Sequence, residues 1–261
     1  MLPEVGFGTG TLVGNEAVSA VGMALDSGYR LIDTAARYNN EAEVGQAIAV
    51  AAVPREEILV VTKGAHEESE HGYQTILDQL EASLGRLSLK YVDFYLVHWP
   101  VNPAKRLETW RAMEKIQQSG RARAIGVSNY AVHHLQELGG AATQPAVNQI
   151  EFHPYVFAEQ RDILQYCQEH GIAVLGHSTF ANGQWAQDKV VHAIATAHNV
   201  SPQQVLSRWS VQHGVTPLVR SHNPEHIAQN IHLAFTLTEN EMAVLNNLHG
   251  KYQWRDPHKL P

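Results

Sequence analysis

The chain has 261 residues, 44% of them hydrophobic, and a formal net charge of -7. It can bury a full core as one large domain, and a mildly acidic chain with no basic run or stripe is not built around nucleic acid. No run of about 18 apolar residues offers a membrane span. The single cysteine, Cys167, excludes an internal disulfide. Met1–Val5 lacks the basic start and apolar core of a signal peptide, so a cytoplasmic protein is expected.

Short apolar runs alternate with amphipathic stretches along the whole chain. Strands are predicted near 5–9, 30–35, 58–62, 92–97, 123–127, 146–150, 172–176 and 215–219. Helices are predicted near 15–27, 40–52, 73–87, 104–119, 131–138, 158–170 and 186–213, then 224–230 and 239–248. The long 186–213 interval divides where Ser201 can cap a helix and Pro202 can open it. Gly28, Gly120 and Gly171 each fall between a helix and a strand, where a left-handed C-terminal cap belongs. Eight strands, each followed by a helix, describe a parallel sheet, and eight such units close into a (β/α)8 barrel, an α/β TIM barrel formed by one domain over 1–261. An open doubly wound sheet is the rival. It is weakened because Gly6, Gly8, Gly10 and Gly14 do not reproduce the G-x-G-x-x-G spacing of a dinucleotide fingerprint.

In a parallel barrel the chemistry sits at the strand C-termini. The predicted strand ends carry Thr9, Asp33 with Tyr38 beyond it, Lys63, His98 with Trp99, Ser128 with Asn129, Gln149 with Glu151 and His153, His177, and Arg220 with Ser221. Taken singly, these residues are unremarkable. Asp33 reads as a strand-end acid, Tyr38 as a core aromatic, Lys63 as a solvated charge and His98 as a satisfied core histidine. Gathered on one rim, they make coherent chemistry. A free phenol has a pKa near 10, and a nearby ammonium favours its phenolate. A buried ammonium needs a carboxylate, which Asp33 supplies, while a neutral His98 can orient a carbonyl oxygen. No activated nucleophile is present. A proton donor facing a polarised oxygen suits carbonyl reduction by a nicotinamide hydride.

The strings LIDTAARYNNE, VTKG, YLVHWP, GVSNY, VNQIEFHP and RSHNPEHIAQN, in that order, resemble the aldo-keto reductase superfamily from GFGTG to about residue 248, as a member with short loops. The resemblance implies a (β/α)8 barrel that binds NADPH without a Rossmann motif and interconverts carbonyls and alcohols. By position it makes Tyr38 the general acid, Lys63 and Asp33 its tuning pair, and His98 the residue orienting the carbonyl. Ser128, Asn129 and Gln149 match contacts to the nicotinamide carboxamide, Thr9 joins the cofactor set, and Phe7 and Trp99 match apolar walls of the substrate pocket. Several positions depart from the family pattern. A Y-S-P-L string, whose tyrosine stacks on nicotinamide, here reads His177-Ser178-Thr179-Phe180. The 2′-phosphate string reads Arg220-Ser221-His222-Asn223, and His226 stands where an arginine is usual. Gln229 replaces a glutamate, and Asn230 is retained; both match adenine contacts. Arg220 keeps NADPH as the expected cofactor, and His226 leaves NADH as the alternative. No N-terminal hairpin precedes the first strand, and the segments after Pro100 and Phe180 are short. These features lead to an expectation of an open mouth and a broad range of small carbonyl substrates, in a monomer or weak dimer.

Two other readings compete. A metal-dependent barrel hydrolase could use His98, Glu151, His153 and His177, although no H-x-H pair is present and no metal is expected. A non-catalytic nicotinamide-binding regulatory subunit could share the fold, but it would not need all four proton-relay residues. Eleven other histidines (His66, His71, His133, His134, His192, His198, His213, His222, His232, His249 and His258) are expected at the surface, as is the charge run Glu67–Glu70.

Overall fold

The structure is a computed structural model that describes residues 2–249 and 256–260. Eight strands run parallel and pair in chain order into a closed barrel. They are β1 Gly6–Gly8, β2 Leu31–Asp33, β3 Leu59–Gly64, β4 Val92–Val97, β5 Ala122–Ser128, β6 Val147–Glu151, β7 Ala173–His177 and β8 Val215–Val219. β8 returns to pair with β1 through Gly6 opposite Leu218 and Phe7 opposite Val219. The helices are α1 Gly14–Asp26, α2 Glu41–Val50, α3 Tyr73–Leu87, α4 Arg106–Gln118, α5 Val132–Glu137, α6 Phe157–Glu169, α7 Lys189–His198, α8 Pro202–Gln212, α9 Pro224–Asn230 and α10 Glu239–Asn246. The (β/α)8 expectation therefore holds, with α7 and α8 both placed between β7 and β8. Ser201 caps α8 through a reciprocal capping box with Gln204. Among the described residues no helix is long and apolar enough to cross a membrane.

The pleat decides what reaches the mouth. Leu31, Val61, Leu96, Val147, Leu175 and Leu218 form one buried apolar layer inside the barrel, with Leu2, Leu59, Phe94 and Ala173 packed against it. Side chains two residues further along a strand point to the same face. Asp33, Lys63, His98, Gln149, His177 and Arg220 each stand two residues beyond a member of that layer. The apolar floor and the polar mouth are thus successive storeys of one alternation. Glycine fills this storey where space is shortest. A Cβ on Gly126 would lie 2.5 Å from the Val147 carbonyl oxygen, and one on Gly6 would lie 2.6 Å from a Leu31 methyl.

Side chains then fix the loops above the strands. Asn40, fully buried at the start of α2, does not cap that helix. Its Nδ2 donates to the Thr9 and Leu12 carbonyls, each at 2.8 Å, and its Oδ1 accepts from Thr34 Oγ1 at 2.8 Å. The loop after β1 is thereby tied to the loop after β2. Thr9 adds two bonds to the Asp33 carbonyl, from its amide at 2.9 Å and its hydroxyl at 3.0 Å. Behind the barrel, the buried Glu41 carboxylate accepts from Thr62 Oγ1 and pairs with Arg86, joining α2, β3 and α3. Tyr38 closes a short 3-10 turn, Ala36–Tyr38, that ends in Asn39 at φ +55°.

Candidate active site

Lys63 lies at the centre of the mouth. Its side chain is wholly buried, and its Nζ donates to Asp33 Oδ2 at 2.8 Å, to the Thr34 carbonyl at 2.8 Å and to the Tyr38 hydroxyl at 3.4 Å. Burial alone would push its pKa down, but the Asp33 carboxylate and the Tyr38 phenol overcome this and leave it above the ordinary value. For Tyr38 the largest influence is burial, which raises its pKa. Lys63 and Arg220 pull it down and Asp33 pushes it up, with a net rise. The expected lowering by Lys63 is present, but it is outweighed by the loss of water around the phenol. Tyr38 is therefore protonated at neutral pH and has a proton to give.

His98 is held well below the usual histidine range, by burial first and then by Lys63, His66, His177 and Arg37. Its Nδ1 has no hydrogen-bond partner among the described residues. Its ring lies edge-on to Tyr38, with centroids 5.9 Å apart, and edge-on to His66 at 4.9 Å. A neutral imidazole thus stands beside a protonated phenol and a charged ammonium.

A second network lines the adjoining wall. Ser128 Oγ donates to the Gln149 carbonyl at 3.0 Å, and Asn129 Nδ2 donates to Ser128 Oγ and to the His98 carbonyl. With its nitrogen so committed, Asn129 presents Oδ1 to His177 Nε2 at 3.0 Å. His177 must therefore carry its hydrogen on Nε2 and accept from the Ser178 hydroxyl at Nδ1, also at 3.0 Å. Burial holds its pKa down at about 4, against the opposing pull of Glu151.

These groups surround one cavity of about 710 Å³, lined by Asp33, Tyr38, His98, Trp99, Ser128, Asn129, Gln149, His177, Ser178 and Arg220. Arg220 reaches across its rim to the Gly10 carbonyl and Thr11 Oγ1. A hydroxyl and two amides on one wall, a flat imidazole beside them and a forked cation at the edge are the chemistry that a nicotinamide dinucleotide needs.

Other expected residues lie elsewhere. Phe7 is not a substrate wall. It falls between Gly6 and Gly8, out of phase with the inward face, and its buried ring packs edge-on against Tyr29. Thr9 is fully buried and reaches the site only through the Asp33 backbone. Ser221, His222, His226, Gln229 and Asn230 do not line this cavity. His222 and His226 are exposed, Asn230 is buried, and Gln229 borders a separate cavity of about 480 Å³ with His192 and Ser201. Glu151 and His153 pair with each other at 3.1 Å, and among the described residues no three His, Cys, Asp or Glu side chains converge as a metal cage requires. Two histidines expected at the surface are buried. His134 accepts from the Ala131 amide at the start of α5, and His71 is buried in the connection between β3 and α3. Glu70, within the charge run, accepts from the His66 and Glu67 amides.

The sequence reading missed Thr179, Asn182, Gly183, Trp185 and Leu218 in the cavity wall. Leu218 follows from the pleat. Asn182-Gly183 is a turn signal, and both residues have positive φ inside the segment Ala181–Gln187. α7 starts only at Lys189, capped by Asp188. Trp185 carries no comparable signal.

A closed parallel barrel with a buried Asp–Lys–Tyr chain and a neutral imidazole at its mouth defines an oxidoreductase acting on carbonyl and alcohol groups. A family model described as the aldo/keto reductase family matches residues 4–249. The glyoxal reductase of Bacillus subtilis is 43% identical over 237 residues, 90% of this chain and 84% of that protein. The crystal structure of an aldo-keto reductase from a Medee basin deep-sea metagenome library has a TM-score of 0.93 at 34% identity, covering 100% of this chain and 97% of that one. A Bombyx mori aldo-keto reductase in complex with NADP has a TM-score of 0.86 at 36% identity, covering 94% and 88%. The chain belongs to the aldo/keto reductase family.

Three histidines, two of them in the site, make stability pH-dependent. His71 and His177 titrate near 4 in the folded chain and His98 is also depressed, against 6.5 ordinarily. As pH falls from 6.5 toward 4, the unfolded chain binds protons that the folded chain refuses. Their contribution is complete above 6.5 and is lost on acidification, by up to about 1.4 kcal/mol per pH unit for each histidine. Urea unfolding at several pH values across that window measures the slope, and a flat profile contradicts the burial argument.

Proposed function

We propose that this protein catalyses reversible reduction of aldehydes and ketones to alcohols, with hydride from NADPH and a proton from the Tyr38 hydroxyl. The observation that carries this reading is the buried Lys63 ammonium, held by Asp33 and directed at Tyr38. Bound nicotinamide supplies the hydride. Tyr38 donates its proton to the carbonyl oxygen, and the phenolate left behind is stabilised by Lys63, which Asp33 keeps charged. In the oxidation direction the same phenolate takes the proton back. His98, neutral and buried, orients the carbonyl oxygen. Ser128, Asn129 and Gln149 hold the carboxamide, with His177 and Ser178 beside them as the seat of the ring. Trp99, half-buried in the cavity wall, bounds the substrate.

NADPH is favoured over NADH because Arg220 offers a forked, permanently charged partner for a phosphate. The NADP complex of the Bombyx mori relative supports the same choice. Ser221, His222, His226, Gln229 and Asn230, outside the cavity wall on the segment after β8, are the candidates for the far, adenosine end of the cofactor. A broad substrate range is supported by the size of the cavity, about 710 Å³. Every group in this scheme comes from one barrel, which is compatible with a monomer or weak dimer.

Three measurements test the reading. Tyr38→Phe is expected to lower kcat for aldehyde reduction by about 10²–10⁴-fold while NADPH binding stays within about twofold; unchanged turnover rules out Tyr38 as the donor. Arg220→Gln is expected to raise the KM for NADPH by about tenfold and to leave that for NADH nearly unchanged, as read from paired steady-state kinetics. Across a panel of aldehydes kcat/KM is expected to vary by less than about a hundredfold, and one substrate exceeding the rest by several orders of magnitude refutes the broad range.

A further inference from the structure

Gln149 has a partner that a cofactor contact alone does not explain. Its Nε2 donates to Asp33 Oδ1 at 2.7 Å, across 116 residues of sequence. A carboxylate only accepts, so the amide orientation is forced, nitrogen toward Asp33. Both Asp33 oxygens are then engaged, Oδ2 by Lys63 and Oδ1 by Gln149. Gln149 is only 1% exposed, yet it lines the cavity, and its carbonyl accepts from the Asn129 amide at 2.8 Å and from Ser128 Oγ at 3.0 Å. Gln149 therefore joins the carboxamide wall through its backbone carbonyl and the carboxylate at the root of the proton chain through its side chain.

We infer that Gln149 is a positioning residue that sets the proton affinity of Tyr38 through Asp33 and Lys63, so that the wall seating the cofactor and the proton donor are one hydrogen-bonded unit. This rests on the reading of Tyr38 as donor given above. A second N–H on Asp33 spreads the carboxylate charge over two partners, and Lys63 keeps more of its field for the phenol. Without that N–H, the carboxylate acts on Lys63 alone and phenolate becomes harder to form. The other charged or titratable groups near Tyr38 are Arg220 beyond β8 and His98 beyond β4; His66, His177 and Arg37 face His98. None of these replaces a donor to Asp33 Oδ1.

The test uses Gln149→Met, which keeps length and removes the donor, and Gln149→Glu, which sets a second carboxylate against Asp33. At saturating NADPH the alkaline limb of log(kcat/KM) for aldehyde reduction is expected to move up in Gln149→Met. The rise should be roughly half to one pH unit, a fraction of the one to three units produced by a directly adjacent charge. Gln149→Glu is expected to move it further in the same direction. The phenolate absorbance of Tyr38, isolated as the difference from Tyr38→Phe in the cofactor-free protein, is expected to shift likewise. If Gln149→Met raises only the KM for NADPH and leaves both titrations in place, Gln149 is a cofactor contact and the coupling is wrong. If the wild-type protein reduces no carbonyl, the functional reading fails, but the absorbance titration still decides whether Gln149 governs the phenol.

Discussion

An ammonium with no access to water is the constraint around which this molecule is arranged. Stripping water from Lys63 costs several kcal/mol even after relaxation. It is tolerated only because the carboxylate of Asp33, the carbonyl of Thr34 and the hydroxyl of Tyr38 meet it at 2.8, 2.8 and 3.4 Å. Each partner must therefore be held where it is. Asp33 is fixed by two bonds from Thr9 to its own carbonyl and by Gln149 at its free oxygen. Thr34 is held by Asn40, which also anchors the loop after β1. The result is a charged group whose hydrogen-bonded contacts among the described residues are a carboxylate, a carbonyl and a phenol.

The other half of the mouth follows a different logic. No ion pair joins Ser128, Asn129, His177 and Ser178. The order comes from matching donors to acceptors, each bond determining the orientation of the next group. The asparagine amide can point only one way, and this sets the tautomer of a neutral imidazole. A ring kept uncharged at physiological pH is a suitable neighbour for a nicotinamide, which carries a positive charge when oxidised.

Much of this was legible in the sequence because the barrel's periodicity is simple. Alternation along β2, β3, β4, β6 and β7 carries an apolar residue and then a polar one two places on, so Asp33, Lys63, His98, Gln149 and His177 could be assigned to one rim from spacing and strand ends. The same rule, applied to Gly6-Phe7-Gly8, would have turned Phe7 away from the cavity. Other features left no trace. The bond from Gln149 to Asp33 spans 116 residues and depends on closure of the barrel. Asn40 resembles a helix cap but bonds backward to another loop. His71 and His134 occupy polar stretches of sequence, yet both are covered by packing that only the assembled fold creates.

The proton chain draws no hydrogen bond from the loop after β3 or from the segment after β7. Its members hang on β2, β3, β6 and the turn holding Tyr38. Trp185, Asn182 and Phe180, by contrast, come from the segment after β7 and face the cavity. The buried ion pair with its phenol and the loop wall of the cavity therefore come from separate parts of the chain. A substitution in that segment can reshape the cavity wall without breaking any bond that joins Asp33, Lys63, Tyr38 and Gln149.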